Sequence, residues 1–283
     1  MKAALNILDL NVSFASDDGT VDVVRNVSIN VNEGEIVGLV GESGSGKTLT
    51  AMCAMGLQPA SARVKAKQIE VAGHDMGCLD AKAMASVRGR GIALIPQEPM
   101  NSLNPTMRIG KQLEIVIRSH QAVGSAAARK IALGFLERML INDPHRVMHA
   151  YPFELSGGMR QRVLLAMAFS CHPKILIADE PTTALDVTVQ NEVLELLRDG
   201  ARATNTAVLF ITHDLAVVWN LCQRVYVMCQ GEIVESGQTR DVIGAPGHVY
   251  TQRLLAALPS NNPRRKPLPV NMGPVVGQDG GSL

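Results

Sequence analysis

Apolar and polar residues alternate through LNILDLNVSF at residues 5–14 in the manner of a half-exposed strand, and VSINVNEGEIVGLVG at 27–41 reads as two more strands joined at Asn32, Glu33 and Gly34. Three apolar stretches follow without alternation, GIALIPQ at 91–97, KILIAD at 174–179 and AVLFITH at 207–213, and they predict buried strands. Each ends in a polar residue: Gln97, Asp179 and His213. Residues 48–57 carry no glycine until Gly56 and predict a helix directly behind a glycine-rich loop. Between Pro105 and Tyr151 the texture turns helical; SAAARKIALGFLERML is expected to start at a capping Ser125 and to put Ile131, Phe135, Leu136, Met139 and Leu140 on one side. The pattern is that of an α/β chain with a helical insertion. Ligands collect at the carboxyl ends of strands in open parallel sheets, so Gln97, Asp179 and His213 are expected to converge on the glycine loop. From residue 259 onward proline and glycine dominate, with a basic run at Arg264, Arg265 and Lys266, and the segment is read as a flexible tail.

Composition narrows the class. The 283 residues are 46% hydrophobic, enough for a sizeable core. Lysine plus arginine number 27 against 26 aspartate plus glutamate, so no overall field draws the chain to nucleic acid or anionic lipid. No run approaches the roughly 20 apolar residues that cross a bilayer. The N-terminal MKAALNILDLNVSF has polar residues where a signal peptide needs an apolar run, so neither insertion nor export is expected. Cys53, Cys78, Cys171, Cys222 and Cys229 lack C-x-x-C spacing, which argues for reduced thiols, mostly small core residues, over a zinc site or disulfide frame.

The loop itself is VGESGSGKTL. Gly41, Glu42, Ser43, Gly44, Ser45, Gly46, Lys47 and Thr48 match the phosphate-loop pattern G-x-x-x-x-G-K-[ST]. Backbone N–H groups at a helix N-terminus line such a loop, Lys47 adds a point charge at the β and γ phosphates, and Thr48 offers its hydroxyl to Mg²⁺. A glycine turn with a solvated lysine would share the composition but not the strand before it and the helix after it. Asp179 and Glu180 close a buried strand, a costly place for two carboxylates unless a cation or a reacting water uses them. Asp179 suits Mg²⁺; Glu180 then stands where it can orient or deprotonate a water. Without a phosphate loop the pair would read as an exposed strand end before Pro181. In ELSGGMRQR, Ser156, Gly157 and Gly158 lead into a helix expected near Met159, another N-terminus able to hold phosphate; alone they would signify an N-cap.

Taken in order, the phosphate loop, Gln97, LSGGMRQR, ILIADEP, TALD at 183–186 and ITHD at 211–214 resemble the ATP-binding cassette of ABC transporters over residues 5–258. That resemblance implies a RecA-like phosphate-loop NTPase core with an N-terminal antiparallel β subdomain, a helical subdomain at about 98–159 and a tail at 259–283. It implies ATP and Mg²⁺, held by the loop together with Thr48, Gln97 and Asp179. Glu180 is then the general base, and His213 holds the γ-phosphate and water. Two cassettes lie head to tail, each ATP between one subunit's loop and its partner's Ser156, Gly157 and Gly158, with Asp186 communicating across the dimer. Phe14 stands where the family stacks an aromatic on adenine, although a phenylalanine on a strand is commonly core. The signature departs from the usual form in carrying Met159 for glutamine.

A finer resemblance, in IPQEPMNSLNPTM, YPFELSGGMRQR and GHVYTQRLLAALP, is to the ATPases of peptide and nickel importers. It implies two integral-membrane permeases, a second paralogous ATPase, an extracytoplasmic substrate-binding protein and a peripheral place on the cytoplasmic face of the membrane. Val249 replaces a common proline. No cysteine follows Cys229, so no iron–sulfur cluster is expected. His74, His120, His145 and His149 are read as scattered surface residues and not as metal ligands. The competing class is a soluble cassette acting on DNA or the ribosome, disfavoured by the single cassette and the near-zero charge. A regulatory cassette without hydrolysis is disfavoured by Glu180 and His213.

Overall fold

A computed structural model describes residues 2–16, 19–97, 102–183 and 185–257. It opens with two long antiparallel strands, β1 (Ala3–Ser16) and β2 (Gly19–Asn32). The alternation along β1 changes phase midway, with Leu5 and Ile7 buried and then Leu10 and Val12. The register slips between Ile7 and Leu10, where Asp9 has a φ of 52°, so one extra residue keeps both apolar sets pointing inward. Next, β3 (Ile36–Val40) runs through the glycine loop into α1 (Lys47–Ala54). The short strands β4 (Ala62–Lys65) and β5 (Gln68–Val71) pair with β1, and β6 (His74–Asp75) with β5, completing an antiparallel sheet.

After α2 (Ala81–Val87) and β7 (Ile92–Ile95) come four helices, α3 (Ile109–His120), α4 (Ser125–Arg138), α5 (Pro144–His149) and α6 (Gly157–Ser170). The chain then alternates through β8 (Ile175–Asp179), α7 (Val187–Thr204), β9 (Ala207–Thr212) and α8 (Leu215–Leu221). A hairpin of β10 (Arg224–Cys229) and β11 (Glu232–Gln238) precedes α9 (Thr239–Gly244) and α10 (Val249–Ala256). The second sheet has the order β11-β10-β3-β9-β8-β7 and is parallel from β10 to β7. This is the α/β phosphate-loop NTPase architecture with an added antiparallel sheet.

The central strands separate two cores. On β3, β8 and β9, Ile36, Val40, Leu176, Ala178, Val208 and Phe210 face the helices, while Val37, Leu39, Ile175, Ile177, Leu209 and Ile211 face the antiparallel sheet. Both faces being covered is why these strands read as unbroken apolar runs. On the helical side, Ile109, Leu113 and Ile117 of α3 recur every fourth residue and are fully buried. Phe169 of α6 lies so close to α7 that a Cβ on Gly200 would sit 2.6 Å from its ring.

Several local expectations change. The N-cap of α4 is Gly124, and Ser125 is the first helical residue, its hydroxyl taken up by Glu114. Phe135, Leu136 and Met139 are buried as expected, but Leu140 follows the helix with a φ of 50° and is 65% exposed. The helix after the serine–glycine motif begins at Gly157, ahead of Met159. His120 is half-buried, its ring filling the space where a Cβ on Gly89 would be. Among the described residues no group of three or more histidine, cysteine or acidic side chains could hold a metal, and all five cysteines are free, three of them buried. Residues 98–101, at the expected start of the helical subdomain, and the tail at 259–283 lie outside the described residues, as does Ala184 of TALD.

One polar cluster ties the two sheets. The Arg224 guanidinium on β10 pairs with Glu35 and donates to the Asn30 carbonyl of β2 at 2.8 Å, while the Asn30 N–H donates to the Tyr226 hydroxyl at 3.1 Å. Burial alone would raise the Glu35 carboxyl, but Arg224 and the Asn32 amides outweigh it and hold it below its ordinary 4.5. A depressed carboxylate contributes stability above its unfolded value and loses it as the pH falls through the folded one. Arg224→Ala is expected to cost about 2 kcal/mol near neutral pH. Urea titrations at stepped pH should show its gap from the wild type narrowing as the pH drops below 4.5.

Candidate active site

The carboxyl end of β3 turns at Gly41, where a Cβ would sit 2.1 Å from the Met228 carbonyl of β10, so only glycine fits. Gly44 and Gly46 take φ values of 80° and 103°, conformations that open the loop without steric cost. The loop closes on itself through Ser45 N–H to the Glu42 carbonyl at 3.2 Å and is held from outside by Gly231 N–H, which donates to the Ser45 carbonyl at 3.0 Å. Lys47 is buried, and its ammonium donates to the carbonyls of Gly41 at 2.9 Å and Glu42 at 2.8 Å and to Ser45 Oγ at 3.3 Å. Burial pushes its pKa below the ordinary lysine range, against the opposing pull of Glu180, Asp179 and Glu42.

Asp179, last residue of β8, is buried beside it. Burial raises its carboxyl above the usual range, the Thr48 hydroxyl and Lys47 draw it down, and Glu180 pushes it further up. Its Oδ1 has no hydrogen-bond partner. A buried carboxylate oxygen without a donor, on the same carboxylate that the Thr48 hydroxyl bonds, fits a hard divalent cation such as Mg²⁺.

Glu180 comes one residue later with a φ of 44°, a strained conformation worth about 1 kcal/mol. Its N–H donates to the Ile211 carbonyl of β9 at 2.9 Å, which pins the backbone across the sheet edge. The carboxylate is gripped from three directions. Gln97 Nε2 donates to Oε2 at 3.2 Å, the Thr183 hydroxyl donates to Oε2 at 3.0 Å, and His213 Nδ1 lies 3.3 Å from Oε1. Gln97 and Glu180 meet Ser43, Gly44, Gly46, Lys47 and Thr48 around a cavity of about 250 Å³. Of the three strand ends expected at the glycine loop, Gln97 lines its cavity and Asp179 bonds Thr48, while His213 reaches the group through Glu180.

Other candidates stand apart. Ser156 caps α6, accepting from Met159 N–H at 3.3 Å. A Cβ on Gly158 would meet Val189 of α7 at 2.6 Å, and Asp186 caps that same helix by accepting from Val189 N–H at 3.0 Å. The serine–glycine helix start thus packs on the end of α7 that Asp186 caps, and none of these residues lines the loop cavity. Phe14 is half-buried on β1, paired with Val21 and Ala62 and packed on the core. Two contributors escaped the sequence reading. Thr183 had a signal in its position three residues after Glu180, the spacing of a turn. Tyr250, whose hydroxyl accepts Glu42 N–H at 3.0 Å from 208 residues away, had none within reach of the loop.

The ABC transporter family model matches residues 24–183. Over 272 residues, 96% of this chain and 83% of the relative, the chain is 53% identical to the probable D,D-dipeptide transport ATP-binding protein DdpD of Escherichia coli K12. It is 46% identical over 257 residues, 90% of this chain and 72% of the relative, to the oligopeptide transport ATP-binding protein OppD of Bacillus subtilis 168. Among solved structures it is similar to the dimeric form of MJ0796, a bacterial ABC transporter cassette, with a TM-score of 0.73 and 26% identity over 83% of this chain and 99% of that one. A match of this extent, falling on the same residues that the fold gathers around its phosphate loop, makes the chain a member of the ABC transporter family.

Proposed function

We propose that this chain binds and hydrolyses ATP to energise an importer of peptides or a related small solute. The observation that carries the catalytic reading is Glu180, whose carboxylate is fixed by Gln97, Thr183 and His213 at the rim of the loop cavity. The loop amides and Lys47 receive the β and γ phosphates. Lys47 already sits among acceptor oxygens, and phosphate oxygens exchange with its carbonyl partners at little cost in desolvation. Thr48, Asp179 and Gln97 are the residues that hold Mg²⁺, which when bound neutralises charge on the phosphates. Glu180 takes a proton from the attacking water while His213, whose Nδ1 faces Glu180, steadies the carboxylate and leaves its other nitrogen for the γ-phosphate side. Phe14 supplies an aromatic face for the adenine.

Ser156, Gly157 and Gly158 lie apart from their own chain's cavity, which supports a head-to-tail pair in which each signature closes the partner's ATP, with Asp186 at the crossing. The similarity to a dimeric cassette points the same way. The cassette spans residues 5–258, and its helical subdomain at about 98–159 carries closure to two membrane permeases; a second paralogous ATPase and an extracytoplasmic binding protein complete the assembly. No helix among the described residues is long and apolar enough to cross a membrane. The proposed place of the chain, alongside the permeases of a transport system such as its relatives are named for, is peripheral on their cytoplasmic face. Relatives named for peptide transport favour a peptide cargo over nickel, and they lend nothing to a role on DNA or the ribosome.

Lys47→Ala should weaken ATP binding about 10- to 100-fold, the worth of a charge-assisted contact, in calorimetric titration. Glu180→Gln should keep ATP affinity, lose about 10²- to 10⁴-fold in turnover and accumulate as an ATP-bound dimer in light scattering; near-normal turnover would refute the base assignment. Purification of that variant from gently solubilised membranes with ATP and Mg²⁺ should bring down two multi-span permeases. Recovery of ribosomal or DNA-bound partners alone would sink the transport reading.

A further inference from the structure

The sequence GHVY at 247–250 comes long after the catalytic groups along the chain, and its four residues are each accounted for by one local structure. Glu235 of β11 accepts Gly247 N–H at 2.7 Å and His248 N–H at 3.2 Å, fixing where the segment leaves the hairpin. His248 then caps α10, its Nδ1 accepting Tyr250 N–H at 3.1 Å. Val249, more than half exposed, lines a cavity of about 610 Å³ between α10, the β10–β11 turn and the loop residues Glu42, Ser43, Gly44 and Ser45. Tyr250 reaches past it, only 8% exposed, and its hydroxyl accepts Glu42 N–H at 3.0 Å. Burial raises the phenol to about 12, so the hydroxyl stays protonated at neutral pH, and it shares a hydrogen bond with Cys229 of β10.

Glu42 is the first residue after the tight glycine of the loop, and its carbonyl is one of the acceptors of Lys47. Its N–H is satisfied by α10 and not by the loop itself, and neither Glu42 nor Tyr250 lines the cavity that Gly44, Gly46 and Lys47 share. A loop that must present its remaining amides to a polyanion gains from having this one fixed elsewhere, because the ordering is complete before the ligand arrives.

We infer that Tyr250 is a positioning residue for ATP binding, and that α10 is a clamp which holds the outer strand of the phosphate loop in its nucleotide-receiving shape. Chemically, the ligand concerned is the triphosphate of ATP, and the device acts through the Glu42 backbone and not through contact with the nucleotide. The inference rests on residues 41–48 being the ATP site.

The test is Tyr250→Phe, which removes one oxygen and keeps the packed ring. Calorimetric titration with ATP should show affinity lower by about five- to tenfold, the worth of one net hydrogen bond. Steady-state hydrolysis should show KM raised by a similar factor with kcat within about twofold, the pattern of lost uniform binding. Amide exchange at Glu42 should quicken in the nucleotide-free chain. Glu235→Ala, which frees Gly247 and His248 and leaves every loop residue intact, should move KM the same way, and the double variant should lose less than the sum of the two. Wild-type ATP affinity in Tyr250→Phe with unchanged exchange at Glu42 would overturn the inference. So would a fall in melting temperature with kcat reduced and KM unchanged, the mark of a structural role alone. Lys47→Ala measured alongside separates the two readings: if it retains full ATP affinity, the loop is not the site and the clamp falls with it, whereas a loss there with none in Tyr250→Phe removes only the clamp.

Discussion

Lys47, Asp179 and Glu180 gather at the carboxyl edge of a parallel sheet, the first at the start of α1 and the second at the end of β8, and burial works against the charge of both Lys47 and Asp179. The carboxylates pull the lysine toward its charged form, and the Thr48 hydroxyl and the lysine pull Asp179 toward its own while Glu180 opposes them. The balance is incomplete, because Asp179 Oδ1 has no donor. A triphosphate with its cation would supply the missing charges of both signs at once, so the site would be better satisfied with ligand than without.

The rest of the fold keeps those groups in register. Parallel pairing of β3, β8 and β9 brings the glycine loop, Asp179–Glu180 and His213 to one edge, and β7 delivers Gln97 to the same place. The antiparallel sheet and the helices cover opposite faces, and Arg224 with Glu35 and Asn30 binds the antiparallel sheet to β10. The Gly41 turn against Met228 and the Tyr250 contact attach the loop to β10 and α10. The loop is therefore held at its rim by elements that come later in the chain.

Much of this was legible in the sequence because the signals were local. Buried parallel strands announce themselves as unbroken apolar runs, and the phosphate loop needs its glycines at fixed spacing, so β3, β7, β8, β9 and the residues at their ends could be placed in advance. The short strands β4 to β6 carry two to four residues each and no sustained period, and only pairing with β1, or for β6 with β5, makes them strands. Ser125 looked like a cap because serine commonly is one, but Gly124 holds the N-cap position, with no side-chain cap, and Glu114 took the hydroxyl. Leu140 fitted the apolar stripe of α4, yet the helix had ended at Arg138 and the left-handed turn carried the side chain outward. Tyr250 could be seen as part of a motif but not as a partner of Glu42, since nothing in either segment encodes a contact across 208 residues.

The central claim is that Asp179, whose Oδ1 the fold leaves without a donor, would hold a divalent cation together with ATP. Electron paramagnetic resonance with Mn²⁺ in place of Mg²⁺ tests it most directly. The account predicts that the wild-type chain binds Mn²⁺ tightly only when ATP is present, and that Asp179→Asn abolishes this ATP-dependent signal while the chain remains folded. Equal ATP-dependent Mn²⁺ binding in the wild type and in Asp179→Asn would contradict it.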